Sequence, residues 1–278
     1  MWRHVAHPMY LLYQTFHRAW IEQRYANEFD HIAKFCLFIG YPRSGHSLIG
    51  ALLNAHPNVV VAHELNAPKF IHAGCTRNQL YSRIIARAYW FNMRGNASNY
   101  SYRVPNQWQG RFQSIHVIGD KRGGAVTRHL AAHPDFLDQV RRLVGIPVRF
   151  IHAARNPFDN ISAISIWDKK PLHESIENYF FLCHTTGRLQ TLCQTEELIN
   201  VHHEDMIHDA KATLTSLCHF VGIQPEPSYV SACCRVVFPS PTFTRRKVSW
   251  SASQIRDVET RLRTYPFLNH YTFDEDTE

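Results

Sequence analysis

Residues 40–47 form a glycine-rich turn whose residue types suit the binding of an anion. The turn reads Gly-Tyr-Pro-Arg-Ser-Gly-His-Ser, which is nearly the phosphate-binding pattern G-x-x-x-x-G-K-[ST], with His46 at the lysine position. Glycines let the backbone curl so that successive N–H groups point at one anion, and a following helix presents its positive end to the same place. Arg43 would supply a fixed cation, because a guanidinium matches phosphate or sulfate oxygens.

The turn therefore predicts a site for one phosphate and a neighbouring anionic group. Nucleoside triphosphate chemistry is disfavoured, because His46 lacks the flexible ammonium that reaches a β- or γ-phosphate. A plain glycine turn that joins a buried strand to a helix is the alternative interpretation.

Polar residues also follow three other apolar runs, each at the point where a predicted strand ends. The runs and the residues that follow them are 59–61 with Glu64, 115–119 with Lys121, and 148–153 with Arg155. Ligands of open α/β sheets bind at the carboxyl ends of the strands. We therefore expect these residues to belong to the same site as the turn.

The order of predicted elements indicates an α/β fold. Strand-like runs at 35–39, 59–61, 115–119, 148–153 and 199–203 alternate with helical segments that include 135–144, 174–191, 209–221 and 253–262. Such alternation is typical of a parallel, doubly wound sheet. The length of 278 residues suits one domain, and we predict a single domain over 1–278 with a lead-in helix within 1–33.

The composition is that of a folded protein, and its net positive charge suits an anionic ligand. The 30 Lys and Arg against 23 Asp and Glu give a formal charge of +7, but they form no long basic run, so nucleic acid is the weaker expectation. Seven cysteines without a C-x-x-C pair favour a reducing compartment. Residues 1–21 carry basic side chains and predict neither a membrane span nor a signal peptide, so we expect a soluble, cytoplasmic protein.

Three stretches together resemble the sulfotransferases, enzymes that move a sulfuryl group from 3′-phosphoadenylyl sulfate (PAPS) to a hydroxyl or amine. Residues 41–45 are similar to the loop that holds the 5′-phosphosulfate. The run 155–162, with Arg155-Asn156-Pro157, Asp159 and Ser162, is similar to the element that holds the 3′-phosphate. Residues 201–206, with a helix and Phe-Val-Gly-Ile at 220–223, are similar to a strand-to-helix segment of the family. The combination and its order carry the resemblance.

Within that family the chain most resembles the tyrosylprotein type and its bacterial relatives. They share Pro-Arg-Ser-Gly, then Ala-His-Pro, then a catalytic glutamate, and this spacing carries the role of base to Glu64. The resemblance further implies that Lys121 and Arg43 stabilise charge as the product PAP departs. It implies a P-loop NTPase-like three-layer fold, PAPS as donor and no metal. The implied nucleotide contacts are Arg43, Ser44, Gly45, His46, Ser47, Arg155, Ser162, His203, Arg245, Arg246 and Lys247.

Some residues depart from the family pattern. His46 and Ser47 stand where two threonines are usual, although Ser47 keeps a hydroxyl for the 5′-phosphate. Ala163 stands where the 3′-phosphate serine usually falls, so either Ser162 serves with a shifted helix start or that contact is lost. His203 replaces a common tyrosine.

Two segments are expected to shape the site. Residues 239–251 lack the family's Arg-Lys-Gly, and their Arg-Arg-Lys at 245–247 would close over the nucleotide instead. Residues 76–112 interleave aromatic residues with six arginines, and we interpret them as an inserted helix and loop that choose the acceptor. Such interleaving is also found on single-strand nucleic-acid surfaces, and a helix packed by its aromatics is a third interpretation. A sugar, a phenol, a tyrosyl peptide and a lipid headgroup fit the acceptor role equally well.

Rival functions stay open at this point. A nucleotide kinase or NTPase would need a lysine at position 46 and a magnesium-binding carboxylate. A catalytically silent PAP-binding homologue would tolerate His46 and Ala163, and an RNA-binding protein would use the basic insert. A metal site at His202, His203, Glu204 and His208 is disfavoured, because alternation along a strand directs the first two to opposite faces.

Overall fold

A five-stranded parallel sheet forms the centre of the protein. The computed structural model describes residues 19–93 and 102–274. The strands are β1 (Lys34–Gly40), β2 (Val59–His63), β3 (Val117–Lys121), β4 (Val148–Ala154) and β5 (Leu198–His202), in the order β2-β3-β1-β4-β5. The strands are apolar and covered by helices on both faces, as parallel sheets require. The predicted α/β fold with a central parallel sheet is confirmed.

Helices connect the strands and cover the sheet. They are α1 (Ala26–Phe29), α2 (His46–Leu53), α3 (Ala67–His72), α4 (Arg77–Met93), α5 (Gly123–Ala132), α6 (Phe136–Val144), α7 (Pro157–Asp168), α8 (Leu172–Leu192), α9 (His203–His208), α10 (Ala210–Val221), α11 (Pro227–Cys234) and α12 (Ala252–Leu262), with 3₁₀ turns at Thr195–Glu197 and Thr244–Lys247. The predicted lead-in helix lies partly outside the described residues. Its described part is helical at 19–24 and in α1, with a break at Tyr25.

Local sequence signals fix several helix ends. Pro157 occupies the first turn of α7, and the Asn156 side chain accepts a hydrogen bond from the Phe158 amide at 3.0 Å. Gly222 ends α10 in the left-handed conformation, with φ of 83°. Helices α3, α5 and α9 were not predicted, because α3 and α9 are only six residues long and α5 begins with Gly123 and Gly124. His203 begins α9, so the prediction that it ends the last strand was wrong.

Alternation along β1 supplies both faces of the core. Phe35, Leu37 and Ile39 contact one buried cluster, whereas Cys36 and Phe38 contact the cluster on the opposite face. These five side chains are fully buried. The central strand therefore holds the two helical layers together.

The strand order brings the segments that follow β1, β2, β3 and β4 to one edge of the sheet. Strand β1 lies between β3 and β4. The chain forms β2 and β3 on one side of β1 and then β4 and β5 on the other side. His63 pairs with Lys121, and Gly40 pairs with Ala153, so the carboxyl ends of these strands are level. Such a switch point is where open α/β sheets bind ligands.

One histidine lies fully inside this core. His152 of β4 is 0% exposed, and its Nδ1 donates to Asn200 Oδ1 at 2.7 Å, while its Nε2 is buried without a hydrogen-bond partner among the described residues. Burial lowers the pKa of His152 to about 4. The unfolded chain protonates this group near pH 6.5, whereas the folded protein keeps it neutral.

We predict that His152 makes the folded protein sensitive to mild acid. Stability falls as the pH drops from about 6.5 towards 4, by roughly 1.4 kcal/mol per pH unit, or about 2 kcal/mol by pH 5. In urea unfolding at pH 7 and pH 5, His152→Gln should lose about that much less stability between the two pH values than the parent. The exposed His219→Ala is the matched control. An identical pH dependence of the parent and His152→Gln would contradict the prediction.

Candidate active site

The turn after β1 is anchored from beneath. Tyr41 is fully buried and stacks on Tyr179, with ring centroids 4.2 Å apart. The Pro42 carbonyl accepts a hydrogen bond from Asn160 Nδ2 of α7 at 2.7 Å. The backbone of the turn therefore rests on the core and on α7 before it reaches the first turn of α2.

Three residues with positive φ give the turn its curvature. Gly40 at its start has φ of 109°, Arg43 at the tip has φ of 67°, and Gly45 at the start of α2 has φ of 89°. A Cβ atom on Gly45 would lie 2.6 Å from Nδ1 of His203, so only glycine fits there. The Arg43 guanidinium lies over the Trp167 ring, 4.6 Å from its centroid. Consecutive amides curled in this way at a helix N-terminus suit an anion.

His46 contributes no positive charge to this turn. Its side chain is buried, and its Nδ1 lies 3.2 Å from the Tyr41 carbonyl and 3.3 Å from Ser44 Oγ, so the ring is tied to the base of the turn. Burial and the charge of Lys121 lower the pKa of His46 to about 3. The imidazole is therefore neutral at pH 7 and does not replace the lysine of nucleoside triphosphate sites.

The cation comes from β3 instead. Lys121 is 1% exposed, and its Nζ donates to Ser47 Oγ at 3.0 Å and to Glu64 Oε1 at 3.2 Å. The lysine stem passes over Gly50 of α2, where a Cβ atom would lie 2.8 Å from Lys121 Cγ. Burial lowers the pKa of Lys121, and the charge and hydrogen bond of Glu64 partly oppose that effect. The structure thus brings together Glu64, Lys121 and Ser47.

Glu64 is held in an unusual backbone conformation. Its φ is 56°, and its amide donates to the Lys121 carbonyl at 3.1 Å. Burial alone would raise the pKa of Glu64, but the charge and hydrogen bond of Lys121 lower it below the ordinary value. The carboxylate is therefore ionised at neutral pH while its side chain keeps 44% of its surface exposed. Such a group can accept a proton from a molecule that enters beside it.

Asp120 positions the segment that carries Glu64, and it was missed in the sequence. Its carboxylate is fully buried and accepts hydrogen bonds from the amides of Leu65 at 3.0 Å and Ala67 at 2.8 Å. The Ala67 amide is the first of α3, so Asp120 also satisfies the start of that helix. Its position beside Lys121, at the end of an apolar run, was the only indication in the sequence that Asp120 belongs near the site. Its hydrogen-bond partners could not be predicted, because they lie more than 50 residues away along the chain.

Arg155 directly follows β4, the strand next to β1, and lies within electrostatic reach of Arg43. It is 9% exposed, and one terminal nitrogen donates to the Thr242 carbonyl and, at 3.1 Å, to Thr244 Oγ1. Burial lowers the pKa of Arg155, the charges of Asp159 and Glu204 oppose that effect, and the charge of Arg43 adds to it. An anion bound beside both guanidinium groups would be attracted by each of them.

The segment 239–251 is docked on α7. Arg245 is 3% exposed and forms an ion pair with Asp159 at 2.5 Å, and its amide donates to the second oxygen of that carboxylate at 2.8 Å. Ser162 is fully buried, and its hydroxyl accepts from Trp250 Nε1 at 3.0 Å. Arg246 and Lys247 are exposed. The segment therefore lies beside Arg155, and contacts of Ser162, Arg245, Arg246 and Lys247 with a nucleotide stay predictions.

A cavity of about 130 Å³ opens next to Lys121 and Ser47. It is slightly smaller than an engineered cavity of about 150 Å³ that holds benzene. Phe91 of α4 stacks on His63 at its wall, with ring centroids 3.9 Å apart. The lining residues are Ser47, Gly50, Ala51, Asn54, Val61, Ala62, His63, Phe91, Asn92, Tyr102, Arg103, Gln109 and Lys121. The insert 76–112 thus contributes to the wall with Phe91, Asn92, Tyr102, Arg103 and Gln109.

Four described arginines of the insert contact other protein groups, although Arg87 and Arg111 stay exposed. Arg77 pairs with Asp30 at 2.8 Å, Arg87 donates to the His63 carbonyl at 2.7 Å, and the guanidinium groups of Arg83 and Arg111 lie over the rings of Phe70 and Trp108. A nucleic-acid surface would need positive charges that are not already committed to protein groups. These contacts hold the four side chains against the protein, so RNA binding stays the weaker expectation. Residues 94–101 lie outside the described part of the chain.

The side chains at 202–204 are also committed to protein contacts. Glu204 accepts from the Asn156 amide at 2.8 Å and from the Tyr271 hydroxyl at 2.7 Å. Nδ1 of His202 lies 2.9 Å from the same hydroxyl, whereas His203 packs against Gly45. These residues hold β5 and α9 in place, and they do not converge on one point.

Comparison with known proteins decides the family. The model of the sulfotransferase family matches residues 37–227, which is more than half of the chain and includes the turn, Glu64, Lys121 and Arg155. The chain belongs to the sulfotransferase family. The resemblance noted in the sequence is confirmed. A search of curated protein sequences found no significant match.

Solved sulfotransferases share the fold at low sequence identity. The sulfotransferase domain of the olefin synthase from Synechococcus PCC 7002 aligns over 84% of this chain and 94% of its own, with 14% identity and a TM-score of 0.51. Sulfotransferase STF9 from Mycobacterium avium aligns over 90% of this chain and 81% of its own, with 10% identity and a TM-score of 0.52. Mouse sulfotransferase SULT7A1, complexed with PAP, aligns over 80% and 69% with 13% identity and a TM-score of 0.41, which is too low to add to the fold assignment.

Within residues 19–93 and 102–274, every helix is too short or too polar to cross a bilayer.

We predict that Arg245 carries more of the stability of this sulfotransferase than its exposed neighbour does. Arg245→Ala leaves the buried Asp159 carboxylate without its ion partner, which should cost about 3–5 kcal/mol. Arg246→Ala is the matched control and should cost about 0.5 kcal/mol or less. Urea unfolding of both variants measures the difference. Equal losses in the two variants would show that the ion pair does not anchor the segment.

Proposed function

We propose that this sulfotransferase moves a sulfuryl group from PAPS to a hydroxyl on an acceptor that enters the 130 Å³ cavity. The observation that carries the proposal is the chain of contacts from Glu64 through Lys121 to Ser47. These contacts join a carboxylate, through Lys121 in the cavity wall, to the first turn of the helix that follows the turn 40–47. A base and a cationic clamp on opposite sides of one point are what in-line transfer of a charged group requires.

In the proposed reaction the acceptor oxygen attacks the sulfur atom while the bond from sulfur to the bridging phosphate oxygen breaks. The electron pair of that bond leaves with PAP, and the hydroxyl proton moves to Glu64. The amides of residues 43–47 and the Arg43 guanidinium would hold the phosphosulfate. No nucleophilic side chain is needed, so catalysis consists of positioning and stabilisation of charge.

Lys121 could control how strongly Glu64 attracts a proton in the proposed reaction. In the structure Lys121 lowers the pKa of Glu64, which makes the carboxylate a weak base. A phosphosulfate at the turn would compete for the same ammonium group, because Nζ already reaches Ser47 Oγ. As Lys121 turns to the donor, the proton affinity of Glu64 rises. The base thus becomes effective when the donor is bound.

Arg155 would recognise the 3′-phosphate that distinguishes PAPS from ordinary adenylates. It is buried, lies within electrostatic reach of Arg43, and is tied to the segment 242–244. The remaining donors of its guanidinium can bind a second anionic group on the same ligand. Arg246 and Lys247 follow Arg245 in the docked segment, where they would add positive charge near the nucleotide.

The acceptor is proposed to present a hydroxyl on a group about the size of one ring. The cavity wall combines Phe91 and Tyr102 with the amide side chains of Asn54, Asn92 and Gln109. Aromatic faces and amide groups suit a phenol or a sugar end group, including one carried by a peptide or lipid. A screen with labelled PAPS against phenols, sugars, tyrosyl peptides and lipid headgroups tests this. Transfer to none of these classes, with PAP binding intact, would favour a silent PAP-binding homologue.

A kinase or NTPase receives no support from the site. His46 is neutral and tied to the turn. The carboxylate that ends β3, Asp120, is buried on two backbone amides and is therefore not available to a magnesium ion. A thermal shift with PAP but not with ATP is the corresponding expectation.

We predict that Glu64→Gln lowers turnover without removing donor binding. Loss of a general base should reduce kcat by about two to four orders of magnitude, while PAP should bind at least as tightly as to the parent, because loss of the Glu64 charge leaves Lys121 to the donor. His63→Asn is the comparison, because His63 is the neighbouring group that could take the proton, although burial and Lys121 lower its pKa to about 4. Parent-like turnover in Glu64→Gln together with its loss in His63→Asn would assign the base to His63.

We predict that Arg155→Ala discriminates between nucleotides. Charge-assisted hydrogen bonds contribute roughly 1.5–3 kcal/mol, so PAP should bind about 10–150 times more weakly. Adenosine 5′-phosphate, which has no 3′-phosphate, should be little affected. Arg155→Lys keeps the positive charge but cannot form two parallel hydrogen bonds to one phosphate. Its affinity for PAP should therefore lie between those of the parent and of Arg155→Ala. Calorimetric titration of both nucleotides measures this, and equal losses for PAP and adenosine 5′-phosphate would remove the 3′-phosphate role.

A further inference from the structure

Three histidines converge on one point away from the proposed active site. They are His72 at the end of α3, His129 in α5 and His133 just after α5. One ring nitrogen from each lies within 4.8 Å of the others. The ring centroids are 5.4 Å apart for His72 and His129, and 4.4 Å apart for each of the other two pairs.

Two of these residues have the spacing of helical metal ligands. His129 and His133 are four residues apart, and the His133 amide donates to the His129 carbonyl at 2.9 Å, with His133 directly after the last residue of α5. Histidines at i and i+4 lie on one helix face and bind zinc in H-E-x-x-H sites. His72 adds a third nitrogen from a different helix. Three imidazoles at the ends of two helices match the protein ligands of a zinc site with one open position.

One buried nitrogen of the cluster has no polar partner in the described part of the chain. Nε2 of His129 is buried and has no hydrogen-bond partner among the described residues. Its ring is held in place by Phe136, with centroids 4.5 Å apart in an edge-to-face arrangement. A buried nitrogen without a partner is costly unless something binds it. A metal ion would satisfy this nitrogen and draw the other two rings towards it.

We propose that His72, His129 and His133 form a binding site for a divalent metal ion of the zinc type. Zinc bound to imidazole at about 2.0–2.1 Å places tetrahedral ligand nitrogens roughly 3.4 Å apart, so the cluster closes with small side-chain rotations. His72 is exposed at the end of its helix, which leaves it free to make such a rotation. Water would occupy the fourth position. The ligand type favours zinc, copper or nickel over magnesium and calcium.

A metal at this site would clamp α3 to α5. Helix α3 begins at Ala67, which Asp120 binds, and α5 begins at Gly123, two residues after Lys121. The clamp therefore joins the far ends of the two helices whose first turns lie beside Glu64 and Lys121. The site does not depend on sulfuryl transfer, because binding of the metal can be measured without donor or acceptor.

Metal binding by tag-free protein tests the proposal. Calorimetric titration with Zn²⁺ should show one site per chain. Titration with Co²⁺ should give the visible absorption bands of a four-coordinate ion with imidazole ligands. His72→Ala and His133→Ala should each weaken Zn²⁺ binding at least tenfold, and His129→Ala with His133→Ala together should abolish it. Zn²⁺ should also raise the Tm and slow amide exchange at the end of α3 in the parent only.

The chain has 19 histidines, so matched controls decide the assignment. His173→Ala and His219→Ala remove exposed histidines elsewhere and should leave Zn²⁺ affinity and the cobalt spectrum unchanged. His72→Ala removes an exposed side chain, so this variant is expected to fold even if the His129 variant does not. Absence of a one-to-one site in the parent, or a site that survives in His72→Ala and in the double variant, would overturn the proposal.

Discussion

The proposed site depends on the contacts of the buried Lys121 ammonium group with Glu64 and Ser47. A lysine that is 1% exposed keeps its charge only where polar partners replace water, and Glu64 and Ser47 provide them. The same contact requires a glycine at position 50 and holds Glu64 with a positive φ. Asp120 stabilises that conformation from the side. Glu64, Lys121 and the first turn of α2 therefore form one connected unit, so a change in the position of one residue alters the positions of the others.

The sequence was sufficient for the features that local chemistry and order along the chain determine. Apolar runs predicted the strands, and polar residues at their ends predicted Glu64, Lys121 and Arg155, because parallel strands place their carboxyl ends at one edge. The strand order itself could not be deduced. Nor could the contacts of Asp120, Asn160 and Gly50, because each joins segments that only the folded sheet brings together.

The histidines show why residue type alone was a poor guide to function. His46 and His152 are buried and neutral, and His203 fills the space beside Gly45. The residues at 202–208 suggested a metal site because they are neighbours in sequence, yet their side chains make different contacts. The sequence did not indicate the cluster of His72, His129 and His133, because it lies on α3 and α5. These two helices were not predicted, since α3 has six residues and α5 begins with two glycines.

The two halves of the proposed site are built differently. The proposed donor half is held by contacts of the turn and of the segment 244–250 with α7. The proposed acceptor half depends on the ion pair of Glu64 with Lys121, and the same ammonium group reaches Ser47 in the turn. Because Lys121 cannot serve both partners fully, an anionic donor bound at the turn would raise the proton affinity of Glu64. By linkage, protonation of Glu64 would equally strengthen donor binding. Under the proposed function, acceptor activation and donor binding are therefore coupled through one side chain.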